Sequence, residues 1–195
     1  MVPRIEKTIF WQTVQEPGAE VCTLSESESG WIFSGTVLTM LAGIPTEVRY
    51  QIACDTRWVT REVHVAERRG EANMELHLES DGAGRWHADG NYVPALDGSV
   101  DVDLEVTPAT NTLPIRRTRP SVGETAEIQA AWVRFPELTV ESASQRYTHL
   151  DERRYVYESQ GGLYSAILDV DEVGLATRYG DIWIRNAATT AAPLG

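Results

Sequence analysis

The sequence predicts an all-β protein of one domain, arranged as a sandwich, roll or barrel. Its 195 residues suit a single domain, and its 15 glycines and 9 prolines are ordinary numbers for a folded protein of this length. Apolar and polar residues alternate with the period of a β-strand along much of the chain. Turn-forming dipeptides recur at short intervals, and long helical patterns are missing, which favours many short strands.

The alternation is clearest in four segments. Apolar side chains occupy every second position, with polar or small residues between them, in residues 48–52, 72–78, 100–106 and 128–132. This pattern predicts strands with one dry face and one wet face, as antiparallel sheets commonly have. In the third segment we therefore expect Asp101, Asp103 and Glu105 to form a solvated outer face.

Turn signals and one long irregular stretch divide the chain. Dipeptides such as Asp81-Gly82 and Asp89-Gly90 predict hairpin turns between strands. Residues 107–123 contain three prolines and predict a long loop, a feature that is often functional in a compact domain. Residues 1–186 are predicted to form the domain, and the small, uncharged residues 187–195 are predicted to form a disordered tail.

The charge of the chain disfavours several partners. Acidic residues outnumber basic ones by 29 to 17, for a net charge of −12, so nucleic acid and anionic membrane surfaces are not expected to bind. No apolar run is long enough for a transmembrane anchor, and the first residues lack the features of a secretory signal, which predicts a cytoplasmic protein. Cys22 and Cys54 are predicted to be buried thiols.

The sequence contains no motif that indicates catalysis, a cofactor or a metal. GxSxG, GxGxxG and HExxH patterns are missing, and His64 and His77 fall on the polar faces of predicted strands, as surface residues do. We therefore expect a non-enzymatic protein without a cofactor or a metal. A hydrolase or isomerase is an alternative that requires carboxylates facing the interior.

Arg61 is the first of the residues that favour ligand binding. It falls between Val59 and Val63 on the apolar face of a predicted strand. Burying an isolated charge costs several kcal/mol or more unless the charge is paired. Arg61 therefore has either an internal carboxylate partner or a polar cavity or ligand to face.

Residues 145–158 predict a tyrosine-rich hairpin. Tyr147 lies on its first strand, and Tyr155 and Tyr157 share a face of its second strand. Tyrosines so placed either line a pocket that is mostly apolar with a few fixed polar groups, or pack across the strands as ordinary neighbours.

The long loop carries adjacent arginines in an acidic protein. Arg116 and Arg117 either pair with carboxylates such as Glu124 and Glu127, or offer paired donors to an anionic or hydroxyl-rich head group. Asn111 lies in the same loop and supplies both a donor and an acceptor.

Four motifs carry a family resemblance. They are DVDLEVTPATNTLPIRR at residues 101–117, QRYTHLDERRYVYES at 145–159, GWIFSG at 30–35 and the pair Phe10-Trp11. Over residues 6–185 the chain resembles the putative glycolipid-binding family of bacterial domains. The resemblance implies a single-domain antiparallel β-roll or incompletely closed barrel, similar to the curved sheets of bacterial lipoprotein carriers. It also implies a long covering loop over an apolar cavity.

The residues and the resemblance together predict binding of an amphipathic small molecule, a lipid or a glycolipid-like compound. On physical grounds we assign Trp11, Trp31, Trp86 and Trp132 to the cavity walls, Tyr147, Tyr155 and Tyr157 to its mouth, and Asn111, Arg116 and Arg117 to the head group. The alternative is a structural or interaction protein with a solid core and no ligand. The sequence does not predict an oligomeric state.

Overall fold

The chain forms one large curved sheet, as the computed structural model of residues 4–190 shows. The strands are β1 (Arg4–Thr13), β2 (Ala19–Ser27), β3 (Gly30–Leu41), β4 (Ile44–Asp55), β5 (Thr60–Arg69), β6 (Ala72–Ser80), β7 (Trp86–Ala88), β8 (Asn91–Tyr92), β9 (Asp101–Leu104), β10 (Thr125–Arg134), β11 (Thr139–Asp151), β12 (Arg154–Ser159), β13 (Tyr164–Val170), β14 (Ala176–Tyr179) and β15 (Trp183–Thr190), and helix α1 spans Thr112–Thr118. The predicted all-β, single-domain fold is confirmed.

Two arms of the sheet meet at β1. From one edge the strands run in the order β8 to β1, and β15 to β9 then continue to the other edge. Neighbouring strands are antiparallel except for β9 and β10, which run parallel. The sheet curls until Val102 of β9 donates its N–H to the Thr60 hydroxyl at the start of β5, at 3.3 Å. It does not close into a barrel.

The alternating segments form the strands that the pattern predicts. On β4 the side chains of Val48, Tyr50 and Ile52 are buried, whereas those of Arg49 and Gln51 are exposed. The same alternation on β1 to β6 gives the concave face of the first arm a continuous apolar surface. Because burial of apolar area is the main favourable term in folding, this face needs a cover.

The covering segment consists of residues 107–118. The sequence predicts an irregular loop here, and the structure forms a 3₁₀ turn over Ala109–Asn111 followed by α1. Ala109 and Leu113 are completely buried, so the segment lies in the concavity of the sheet and fills part of it. A helix this short has little intrinsic stability, and its packing against the sheet stabilises it.

Asp101 and Asp103 face the interior, and the prediction of a solvated outer face on β9 is wrong for both. Asp101 is completely buried and Asp103 is largely buried, whereas Glu105 is exposed. Val102 and Leu104 are buried as well, so β9 has two covered faces. Alternation marks one wet face only where solvent reaches that face.

Arg117 of α1 neutralises the buried Asp101. Its Nε donates to Oδ1 at 3.0 Å and its Nη2 donates to Oδ2 at 2.6 Å, a bidentate ion pair. The predicted partners Glu124 and Glu127 are therefore wrong for Arg117, although the prediction of an internal carboxylate is right. The pair fixes α1 to the edge strand β9.

The predicted boundary between the domain and a disordered tail, after residue 186, lies inside the last strand of the structure. Residues 187–190 belong to β15 and pair with β1, with Thr190 opposite Lys7 and Ala187 opposite Phe10. Backbone hydrogen bonding to β1 holds these small residues in the sheet, although they have little side-chain surface to bury. Residues 191–195 of the predicted tail lie outside the described residues.

Across residues 4–190, the helices are too short and too polar to cross a lipid bilayer. Cys22 and Cys54 are both buried and free, as predicted.

We expect Arg117→Met to lower the free energy of unfolding by about 3–5 kcal/mol, because it leaves the Asp101 charge buried without a partner. Denaturant unfolding of both proteins measures the difference. Arg119→Met is the matched control, since Arg119 is exposed and lies two positions away, and its change should stay within about 0.5 kcal/mol. Equal destabilisation by the two variants would contradict the role of the ion pair.

Candidate functional site

Two adjoining cavities lie at one end of the covering segment. The first, here called the aromatic cavity, has a volume of about 250 Å³, and the second, the side cavity, has about 380 Å³. Glu105, Ile182 and Trp183 line both of them, so the two spaces meet at these residues. Together they fall in the range of about 300–1,000 Å³ that small-molecule sites occupy.

Five aromatic side chains line the aromatic cavity. They are Trp132, Tyr157, Tyr164, Tyr179 and Trp183. The Tyr157 ring meets those of Tyr164 and Tyr179 edge to face, each at a centroid distance of 5.9 Å. The register of β12 to β14 brings these rings to one face of the sheet. Edge-to-face packing holds the rings in place, and burial raises the pKa of Tyr157 and of Tyr179, which keeps both phenols protonated.

Asp103 supplies the acidic group of the aromatic cavity. Gln145 Nε2 and the Thr110 hydroxyl donate to its two carboxylate oxygens, at 2.5 and 3.2 Å. Burial raises the pKa of Asp103 to about 6, although these hydrogen bonds oppose the change. Asp103 is therefore ionised at neutral pH and can accept hydrogen bonds from a ligand hydroxyl.

Asn111 is held against the cavity by its own hydrogen bonds. Its Oδ1 accepts from the Tyr147 hydroxyl at 3.0 Å, and its Nδ2 donates to the Pro108 carbonyl at 3.1 Å. The side chain is buried and fixed before any ligand arrives. A fixed polar group of this kind gives a pocket selectivity at little ordering cost.

Glu20 anchors the other end of the covering segment. Its carboxyl group accepts hydrogen bonds from the Tyr50 and Thr107 hydroxyls, and Thr107 lines the aromatic cavity. Tyr50 lies directly over Gly35, where an added Cβ would be 2.2 Å from the ring. Burial raises the pKa of Glu20 to about 8, so this carboxyl group is mostly protonated at neutral pH.

The side cavity is more apolar. Its walls include Met40, Leu41, Val106 and Phe135, together with the shared Ile182 and Trp183. Ile182 is 41% exposed and lies at the junction of the two cavities. The arrangement places an aromatic, polar space beside one in which apolar side chains lie together with polar residues such as Gln15 and Glu16.

The structure brings only part of the predicted site together. Asn111, Trp132 and Tyr157 line the aromatic cavity. Arg116 and Tyr155 line a separate, arginine-rich cavity of about 460 Å³, where Tyr155 stacks on His149 at 4.4 Å.

Three of the predicted wall or mouth residues lie in the core. Trp11, Trp86 and Tyr147 are between 0% and 2% exposed. Trp11 Nε1 donates to the Ala176 carbonyl at 2.8 Å, and Trp86 Nε1 donates to the Ser99 carbonyl at 2.7 Å. These side chains support the sheet, and their polar atoms are satisfied by protein groups.

Trp31 and Arg116 belong to one aromatic stack. Trp31 packs face to face on Trp58, with ring centroids 4.5 Å apart, and the Arg116 guanidinium lies 5.1 Å from the Trp58 ring centroid. Arg116 therefore interacts with a protein aromatic ring, and its neighbour Arg117 is bound to Asp101. Neither arginine lines the aromatic cavity.

A β-bulge explains the position of Arg61. On β5, Thr60 pairs with Cys54 and Glu62 pairs with Ala53, so Arg61 is an extra residue in the register. Its guanidinium turns to Asp55, with Nη2 at 2.8 Å from Oδ2, and also donates to the Asp81 carbonyl. Of the two alternatives, the carboxylate partner is the one that the structure shows.

Sequence reasoning missed several residues of the cavities: Asp103, Tyr164, Tyr179, Ile182 and Trp183. Asp103 was missed because the alternation of β9 assigned it to a solvated face. The tyrosines of β13 and β14 were missed because they lie outside the tyrosine-rich hairpin. No local pattern marked Ile182, because single exposed apolar residues are common on protein surfaces.

The fold and the cavities define a single-domain, all-β protein with an interior space under a helical cover. The chain belongs to the family described as putative glycolipid-binding, whose model matches residues 8–185. It is similar to the crystal structure of a DUF1089 family protein from Pseudomonas aeruginosa, with a TM-score of 0.79 and 34% sequence identity. That match covers 86% of this chain and 91% of the other chain. A search of curated proteins finds no match.

We expect Glu20→Gln to change how stability depends on pH. The folded state holds a proton on Glu20 up to a pKa of about 8, whereas the ordinary value is 4.5. The wild-type free energy of unfolding should therefore fall as the pH rises through this interval, by roughly 1 kcal/mol per pH unit from this group.

Denaturant unfolding at pH 5, 6, 7 and 8 measures this effect. As the pH rises, the free energy of unfolding of Glu20→Gln should increase relative to that of the wild type, because the amide does not ionise. Other titrating groups are common to both proteins and cancel. Parallel pH profiles for the two proteins would show that Glu20 is not protonated in the folded state.

Proposed function

We propose that this protein binds an amphipathic small molecule with a hydroxyl-rich head group, without catalysing a reaction on it. The observation that carries the proposal is the junction, at Ile182 and Trp183, of an aromatic, polar cavity with a cavity that has an apolar wall of Met40, Leu41 and Phe135. The description of the family as putative glycolipid-binding supports the same class of ligand.

The aromatic cavity fits the head group. Sugars have polar edges and apolar ring faces, so they bind where aromatic rings lie beside fixed hydrogen-bonding groups. Trp132 and Tyr157 supply such rings, and Asp103 and Asn111 supply fixed polar atoms. The Asp103 carboxylate accepts from hydroxyl groups and would repel an anionic head, which favours a neutral sugar over a phosphate.

The side cavity fits the apolar part of the ligand. Each methylene group removed from water contributes about 0.8 kcal/mol, so a short alkyl chain along Met40, Leu41 and Phe135 would supply much of the affinity. The head-group contacts then determine which ligand binds. The prediction that Arg116 and Arg117 bind the head group gives way to Asp103 and Asn111 in this proposal.

The hydrogen bonds of the two acids in the aromatic cavity support binding without catalysis. Glu105 Oε2 accepts from the Phe135 N–H at 2.9 Å, and its Oε1 lies 3.3 Å from Arg134 Nε. Asp103 is held by Gln145 and Thr110. Protein donors hold both carboxylates in place as hydrogen-bond acceptors, which is the role that binding a ligand hydroxyl requires.

We expect n-octyl glucoside, below its micellar concentration, to bind more tightly than either glucose or n-octanol. Titration into ¹⁵N-labelled protein should shift the indole N–H signals of Trp132 and Trp183. Ile182→Asp should weaken binding about tenfold or more, because it buries a carboxylate beside the alkyl chain.

Ile167→Asp is the matched control. Ile167 is 42% exposed, against 41% for Ile182, and it lines neither cavity. The control should keep wild-type affinity. Equal binding by both variants, or shifts confined to other tryptophans, would overturn the assignment of these cavities. Native mass spectrometry of freshly purified protein then identifies any amphiphile that it carries from the cell.

A further inference from the structure

A wide concavity lies on the opposite face of the sheet. It has a volume of about 650 Å³ and is formed by the outward side chains of β3 to β6, here called the outer groove. Its walls combine apolar residues such as Val21 and Ala66 with the polar side chains of Arg49, Gln51, Glu75 and Asp89. Its lining shares no residue with either cavity at the covering segment.

One wall of the outer groove holds a pair of histidines. His64 of β5 lies directly opposite His77 of β6 in the antiparallel register. Their rings are nearly parallel, with centroids 4.1 Å apart and an angle of 10° between the planes. Directly opposite residues lie on the same face of a sheet, so both imidazoles project toward the groove.

Glu62 completes the cluster, two residues before His64 on the same face of β5. Its Oε1 is 3.1 Å from His64 Nε2 and 3.0 Å from His77 Nε2. The three potential ligand atoms all lie within 4.8 Å of one another. Hydrogen bonds from the two histidines lower the pKa of Glu62, so its carboxylate is ionised at neutral pH.

These separations are close to those within a metal coordination sphere. Ligand bonds to Zn²⁺ are about 2.0–2.2 Å long, so neighbouring ligand atoms in a tetrahedral site lie about 3.3–3.5 Å apart. The two nitrogen–oxygen distances, 3.0 and 3.1 Å, are shorter than this by a few tenths of an ångström, so small side-chain rotations would bring them to it. The side chains of His64 and Glu62 are about half exposed and that of His77 is one-third exposed, so the imidazoles can turn until both nitrogens face a shared ion.

We propose that Glu62, His64 and His77 form a binding site for a divalent transition metal, with Zn²⁺ as its best-fitting ion. Two imidazoles and one carboxylate are ligands for ions such as Zn²⁺, Co²⁺ and Ni²⁺, whereas Mg²⁺ and Ca²⁺ prefer oxygen atoms. Three protein ligands leave at least one coordination position open toward the groove, for water or a ligand oxygen.

The charges around the cluster favour a cation. Glu75 and Asp89 line the same groove, and the whole chain has a net charge of −12. Arg49 is the opposing positive charge in the groove, and it forms an ion pair with Glu47 at 3.0 Å. The HExxH pattern fails to find this site, because its ligands meet across two strands and share no helix face.

Zn²⁺ titration of the untagged protein, in competition with a chromogenic chelator, tests the proposal. We expect one ion per chain, and a loss of affinity of about 100-fold or more in His77→Ala, since removing even an outer-shell partner costs about 10–100-fold. Glu62→Gln should also weaken binding. Co²⁺ should give visible absorption in the wild type, which His77→Ala should lack.

His87→Ala is the matched control. His87 lies on the neighbouring strand β7 and is partly buried, like His77, but it is not part of the cluster. It should bind Zn²⁺ as the wild type does. Circular dichroism establishes that all variants are folded.

Equal Zn²⁺ affinities of the wild type, His77→Ala and the control would overturn the site, and so would a wild type that prefers Mg²⁺. Because the groove is separate from the cavities, this result is independent of octyl glucoside binding.

Discussion

An open, curved sheet leaves an apolar concave face, and the structure depends on how that face is covered. The bidentate pair of Arg117 and Asp101 fixes the C-terminal end of the covering segment to β9. Glu20 and Thr107 fix its other end to β2, in the opposite arm of the sheet. The segment thus bridges the two arms, and burial of Leu113 between the anchors follows from that bridge.

The candidate cavities are a consequence of the same anchors. The segment fills only part of the concavity, and the space that remains at its N-terminal end is lined by Thr107, Asn111 and the aromatic rings of the second arm. Buried polar groups are costly unless they are hydrogen-bonded, and at the aromatic cavity Asp103, Asn111 and Thr107 each have a defined partner. The polar atoms that face the cavity are consequently held in position by the fold itself.

Sequence patterns predicted the strands but not their surroundings. Alternation identified β4, β6 and the first half of β10, because each has one face exposed to water or to the outer groove. It failed for Asp101 and Asp103, because the covering segment and β11 shield the second face of β9. A single bulge also moved Arg61 away from the apolar face that strict alternation assigns to it. Both effects arise from tertiary contacts, and the local periodicity of the sequence carries no information about such contacts.

The candidate site was predicted in part for the same reason. Asn111, Trp132 and Tyr157 could be proposed from residue type and strand face, and they line the aromatic cavity. Trp11 and Trp86 have the same residue chemistry, but they lie where the sheet is fully covered. Whether an aromatic side chain lines a cavity depends on how far the covering segment extends along the sheet. Contacts between residues distant in sequence determine that extent.

The pairing of β1 with β15 has a consequence for how the chain acquires its structure. These strands join the two arms, yet Thr8 pairs with Thr189, and nearly the whole sequence separates them. During synthesis each arm can build its hairpins from local contacts, but the two arms cannot pair until β15 has left the ribosome. Pairings of such high contact order form slowly, and until then β1 and β14 present unpaired edges to other chains. A nascent chain of this protein is thus most exposed to self-association before β15 is available for pairing.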